Sequence, residues 1–131
     1  MIFLILLKTI VFHDIIYNKR KCHRRSGIVV RQIILGRTGL SVGASSFGAL
    51  PIQRLSHKEA AYLVRMAYDK GMNFFDTANG YTDSEEKLGL ALSDVRDKVI
   101  IATKSGAKDK KTLLSHIENS LKMMKTIPMR F

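Results

Sequence analysis

The sequence predicts an α/β protein built on a parallel sheet, with helices laid against its strands. Three observations point there. Short apolar runs at Ala44–Phe47, Met72–Phe75 and Val99–Thr103 alternate with segments whose apolar residues recur at helical spacing. Strict alternation of this kind requires crossover connections, and right-handed crossovers bring every strand's C-terminal end to one rim. Asp76, Tyr81 and Lys104, side chains suited to acid–base chemistry, stand at or just beyond the ends of two of those runs.

The first 29 residues are apolar and basic and are expected to stand apart from the domain. Met1 to Tyr17 is rich in Ile, Leu, Phe and Val but is interrupted by Lys8, His13 and Asp14. A membrane span wants about 20 apolar residues with few charges. A secretory leader carries its positive charge before the apolar run, whereas Lys19-Arg20-Lys21 follow it here. The expectation is an extension translated from upstream of the true start, with a weak membrane anchor through residues 1–17 as the alternative.

Lys8, Lys19, Arg20, Lys21, Arg24 and Arg25 supply much of the net charge of +11, whereas basic and acidic residues intermix over 31–126. No aromatic residues interleave with the basic run and no nucleic-acid module is present, so no nucleic-acid partner is expected. Cys22 is the only cysteine in the 131 residues. That suits a reducing, cytoplasmic compartment and excludes both an intrachain disulfide and an iron–sulfur cluster, which needs about four thiolates. Cys22-His23 lacks metal-ligand spacing, and no metal site is expected.

Arg31 to Val42 predicts a hairpin, because Gly36 and Gly39 flank a short polar pair where positive φ is needed. Ala44–Phe47 is the expected first strand of the parallel sheet, ending at Gly48-Ala49. Ser56 and Glu59 have capping-box spacing at the start of a helix that carries Ala60, Leu63, Val64 and Ala67 on one face. Gly71 then stops it where a left-handed residue is wanted. After the second strand, Asp83-Ser84-Glu85-Glu86 opens a second helix, with acidic residues at its positive end and Leu88, Ala91 and Leu92 as its buried stripe. After the third strand, Asp109 opens a third helix whose stripe is Leu113 or Leu114, Ile117, Leu121 and Met124. His116 falls on this helix at a spacing expected to aim it away from the strand ends. The domain is expected to run from 30 to 126. Ile127–Phe131 is too short for another strand, and Pro128 would interrupt a central one.

Taken singly, Asp76 could be a turn residue, Tyr81 surface packing and Lys104 a solvated charge. Together they carry more. Asp76-Thr77-Ala78-Asn79-Gly80-Tyr81-Thr82-Asp83-Ser84-Glu85 resembles the Asp-Thr-Ala-x-x-Tyr-x-x-Ser-Glu signature of the aldo-keto reductase family, with Thr82 departing from the glycine often found there. The resemblance runs from about Arg31 to Thr126. It implies a partial (β/α)8 barrel, an N-terminal hairpin plus the first three βα units, since a whole barrel takes about 250 residues.

The resemblance also implies an oxidoreductase that uses NADPH or NADH to reduce a small aldehyde or ketone. Such a reaction needs a proton donor for the developing alkoxide. A tyrosine has an unperturbed pKa of about 10, and an adjacent ammonium stabilises its phenolate. The resemblance assigns Tyr81 as acid, Lys104 as its tuner and Asp76 as the lysine's partner, with Gly48, Ala49 and Asp76 beside the cofactor. Ser84 and Glu85 are expected to act as helix caps. In the family, the helix matching Ser120–Thr126 leads into a strand ending in a catalytic histidine, which this sequence lacks. The expectation is a fragment without turnover or tight cofactor binding, the rival being a non-catalytic remnant or interaction module. An open sheet is expected to expose Phe75, Ile100 and Ala102 on its inner face and to favour self-association.

Overall fold

The computed structural model describes residues 30–125. Strands β1 (Gln32–Ile34) and β2 (Ser41–Gly43) pair antiparallel with Ile33 opposite Val42. Gly36 and Gly39 take φ of 53° and 72° in the turn, and the Leu35 amide closes it on the Leu40 carbonyl at 2.9 Å. This hairpin is fastened through Asn73, whose side chain accepts from the Gly43 amide at 2.8 Å and donates to the Ser41 carbonyl at 3.0 Å. Asn73 directly precedes a strand of the main sheet, so the hairpin sits at the N-terminal foot of that sheet.

The main sheet holds β3 (Phe47–Gly48), β4 (Phe74–Asp76) and β5 (Ile100–Ala102), parallel and in that order. Each strand is shorter than its apolar run. The first begins at Phe47 rather than Ala44. The second begins two residues late, because Met72 and Asn73 belong to the connection beneath it, and it extends to Asp76. Among the described residues the sheet is open, with β3 and β5 at its edges and no closed barrel.

Three helices follow the strands: α1 (His57–Asp69), α2 (Ser84–Ala91) and α3 (Lys110–Met123). The capping box on α1 is complete, with Ser56 and Glu59 exchanging side-chain and backbone bonds. Asp109 caps α3 by accepting from the Thr112 amide at 2.9 Å. Gly71 has φ of 91° just past α1. The start of α2 is different. Asp83 makes no capping bond, and Ser84 and Glu85 turn inward and are buried, so they are not the caps the sequence suggested.

The core lies between the sheet and α1 and α2. Phe47, Phe75, Ile52, Val64, Leu88 and Leu92 are buried there, and the Phe47 and Phe75 rings lie 5.7 Å apart. This corrects the expected facing of β4. Phe75 is fully buried on the helix side, paired with Ile101, whereas Phe74, Ile100 and Ala102 share the opposite face and are half-buried. Successive strand residues alternate faces, so Phe75 cannot share one with its register neighbours of opposite parity. The stripe on α3 is also only partly covered. Met124 is buried beside Gly89 of α2, but Leu113, Leu114 and Ile117 are 41%, 50% and 40% exposed. The helix packs by its C-terminal end and leaves its first turns in solvent.

Three carboxylates are held below their ordinary pKa. Asp83 is hydrogen-bonded by Lys87, Asp94 by Arg65, and Asp109 by the Thr112 amide at the start of α3. Each favours the folded state only while ionised, so its contribution is whole above the unfolded value of about 3.9. It is lost as pH falls through the lower folded value. Urea midpoints measured at constant ionic strength are therefore expected to fall as pH drops below about 4, where these groups begin to protonate, and to fall less in Asp94→Asn. An acid drop undiminished in that variant would exclude Asp94 as a contributor.

Candidate active site

Parallel register assembles the rim. Gly48, Asp76 and Ala102 lie side by side at the C-terminal ends of β3, β4 and β5. Beyond the strands the pairing continues, with the Thr77 amide on the Ala102 carbonyl at 2.8 Å and the Asn79 amide on the Lys104 carbonyl at 2.9 Å. Lys104 is thereby brought up beside Asp76. Its Nζ donates to Asp76 Oδ1 at 2.7 Å and to the Thr77 carbonyl at 2.6 Å. The same nitrogen stands 5.7 Å from the centre of the Tyr81 ring, within cation–π range of about 6 Å.

Tyr81 is held by a tight turn. Its amide donates to the Ala78 carbonyl at 3.0 Å, and its own carbonyl accepts from the Ser84 amide at 2.8 Å. Thr82, where the signature often has glycine, takes φ of 41°, a left-handed conformation that disfavours a β-branched residue. The departure falls where the backbone gives glycine its advantage.

Asp76, Tyr81 and Lys104 thus come together, and Gly48 joins them as an exposed residue on the same rim. Ala49 does not. It is fully buried, with its amide on the Asp76 carbonyl at 2.8 Å and its carbonyl accepting from Ser84 Oγ at 2.9 Å. The site is open: the Asp76 and Lys104 side chains are 46% and 47% exposed. Their attraction is correspondingly weakened by solvent, and the two hydrogen bonds of the Lys104 ammonium act chiefly to orient it. Among the described residues no group of His, Cys, Asp and Glu side chains could hold a metal ion.

His116 lies elsewhere than its helical spacing suggested. Its Nδ1 is 2.8 Å from Ser105 Oγ, so the ring faces the segment that leaves β5. With Thr103, Lys104 and Ser105 it borders a groove of about 280 Å³ that Ile117 and Met124 also line. The segment after β5 folds back toward α3, which the phase of the helix alone does not reveal.

The first turn of α2 holds polar residues that the sequence did not single out as buried. Ser84 Oγ lies 3.0 Å from Thr77 Oγ1 and donates to the Ala49 carbonyl. Glu85 Oε1 accepts from Thr103 Oγ1 at 2.6 Å. Lys87, 2% exposed, donates to the carbonyls of Ile52 at 3.1 Å and Leu55 at 2.7 Å and to Asp83 Oδ1 at 2.8 Å. One sequence signal was available for Lys87, since it stands four residues before Ala91 on the buried stripe.

A family model described as the aldo/keto reductase family matches residues 39–129. A rice protein named "Probable voltage-gated potassium channel subunit beta" is 37% identical over 100 residues, covering 67% of this chain and 30% of that protein. The L-galactose dehydrogenase of Arabidopsis thaliana is 42% identical over 81 residues, 55% of this chain and 25% of that enzyme. A solved Pseudomonas aeruginosa structure described as an aldo-keto reductase superposes with a TM-score of 0.70 at 32% identity, covering 78% of this chain and 45% of that one. The chain therefore spans less than half the length of each of these proteins.

Proposed function

Because this chain belongs to the aldo/keto reductase family, we propose that Asp76, Tyr81 and Lys104 form the proton-donating part of an NAD(P)H-dependent carbonyl-reducing site. The observation that carries this reading is the Lys104 ammonium, fixed between Asp76 and the Thr77 carbonyl and turned toward the Tyr81 ring. Tyr81 gives its hydroxyl proton to the oxygen of a small aldehyde or ketone as negative charge develops there. Lys104 stabilises the phenolate left behind, and Asp76 holds the ammonium in place for it. A nicotinamide cofactor supplies the hydride when bound. Gly48 fits one side of it, because the space where a Cβ would stand is empty of protein atoms. Ala49 has its backbone committed to the protein and would act from beneath, by keeping the β3 end in register. Reversed, the same site oxidises an alcohol.

The 131-residue chain alone is expected to show neither turnover nor tight NADPH binding, since its reacting groups stand half in water. The assay is cofactor absorbance with several aldehydes and ketones. Turnover that vanishes in Tyr81→Phe would overturn that expectation and keep the roles. Turnover that survives it would remove Tyr81 from the chemistry. The roles are also tested in a chimera, with residues 30–125 replacing the matching segment of the Pseudomonas aeruginosa protein. There Tyr81→Phe is expected to lower kcat by about 10²–10⁴-fold, the usual worth of a positioned proton donor.

The exposed Leu113, Leu114 and Ile117 and the open sheet edges support self-association. Light scattering after size exclusion is expected to give a mass that rises with concentration and falls in Leu114→Lys. Among the described residues no helix is long and apolar enough to cross a membrane. With one cysteine in the chain, a cytoplasmic site of action suits the protein. Residues 1–29, proposed as an extension outside the domain, and 127–131 lie outside the described residues.

A further inference from the structure

We infer that Glu85 is a positioning residue that sets the Lys104–Tyr81 contact through Thr103. Glu85 stands in the first turn of α2, four residues beyond Tyr81, and is 3% exposed. Thr103 directly precedes Lys104. The 2.6 Å bond from Thr103 Oγ1 to Glu85 Oε1 therefore joins the turn that carries the tyrosine to the strand end that carries the lysine. Its length is that of a charge-assisted O–H···O⁻ bond, about twice as strong as a neutral one. Burial makes it costly to abandon, because a carboxylate shielded from water has no cheap substitute for a lost donor. Ser84 fixes the same helix start to β3 and β4 through Ala49 and Thr77, so Glu85 adds the third strand.

The significance of this contact for catalysis rests on the function proposed above, but the contact itself is measurable without turnover. In the labelled 131-residue chain, the Lys104 Cε protons are expected to show a nuclear Overhauser effect to the Tyr81 ring and a ring-current shift. Thr103→Val keeps the volume and removes the donor, and should abolish both signals. Thr103→Ser restores the hydroxyl and should retain them. Signals retained in a folded Thr103→Val overturn the inference. Where that variant does not fold, Glu85→Gln decides. Its neutral acceptor should move the Lys104 resonance in the same direction by less, and an unmoved resonance overturns the inference equally. In the chimera, Thr103→Val should lower kcat while leaving KM within about twofold. If Tyr81→Phe leaves the chimera's turnover intact, the catalytic reading fails while the measured contact stands.

Discussion

Lys87→Met is expected to destabilise the described domain by about 1–3 kcal/mol, the usual penalty for leaving buried hydrogen-bonding groups without a partner. The lysine is 2% exposed and its ammonium is shared among the Ile52 and Leu55 carbonyls and Asp83. Methionine fills nearly the same volume, so little of the loss would come from a cavity. It comes instead from backbone carbonyls at the end of the 3-10 turn Leu50–Arg54, which lose their donor where water reaches them poorly. The urea midpoint should fall with little change in slope. Arg65→Met is the control, since the Arg65–Asp94 pair is 36% and 62% exposed and an exposed pair contributes about 1 kcal/mol or less. Equal effects from the two substitutions would mean that burial of Lys87 does not govern its contribution.

Gly89→Ala is expected to cost about 1–3 kcal/mol, or somewhat more, through overpacking. A methyl group at that position would stand 2.2 Å from the Met123 carbonyl oxygen and 2.8 Å from the Met124 Cα. Both are backbone atoms and cannot swing aside as a side chain can, so α2 and α3 must separate. Since α3 is seated by this end, hydrogen exchange should quicken along Lys110–Met123 more than along His57–Asp69. Gly80→Ala should stay within about 0.5 kcal/mol, because nothing lies within 4 Å of its added carbon. An unchanged melt for Gly89→Ala would mean that the helices can part freely.

Features governed by neighbouring residues were legible from the chain. The hairpin turn, the Ser56–Glu59 box, the Asp109 cap and the Gly71 stop each depend on a few adjacent positions. Collection of Asp76, Lys104 and Gly48 on one rim was legible too, because parallel order fixes which strand ends are neighbours. The facing of β4 was not. Phe74 and Phe75 are adjacent aromatics, so an apolar run without alternation leaves its parity open, and only the register with Phe47 and Ile101 decides it. The stripe on α3 has the right period, but period says nothing of whether a partner surface arrives. Glu85, Ser84 and Lys87 escaped because charged and hydroxyl residues usually lie at the surface. Their burial depends on acceptors and donors far along the chain.

The first turn of α2 also has a direction in time. Ser84 and Lys87 reach back to Ala49, Ile52 and Leu55, all of which leave the ribosome before them. Glu85 reaches forward, to a threonine 18 residues later. During synthesis the helix can therefore seat itself on finished chain by two of its polar side chains, while the third waits for β5 to emerge. Chain order thus allows the tyrosine's turn to be anchored before the lysine emerges.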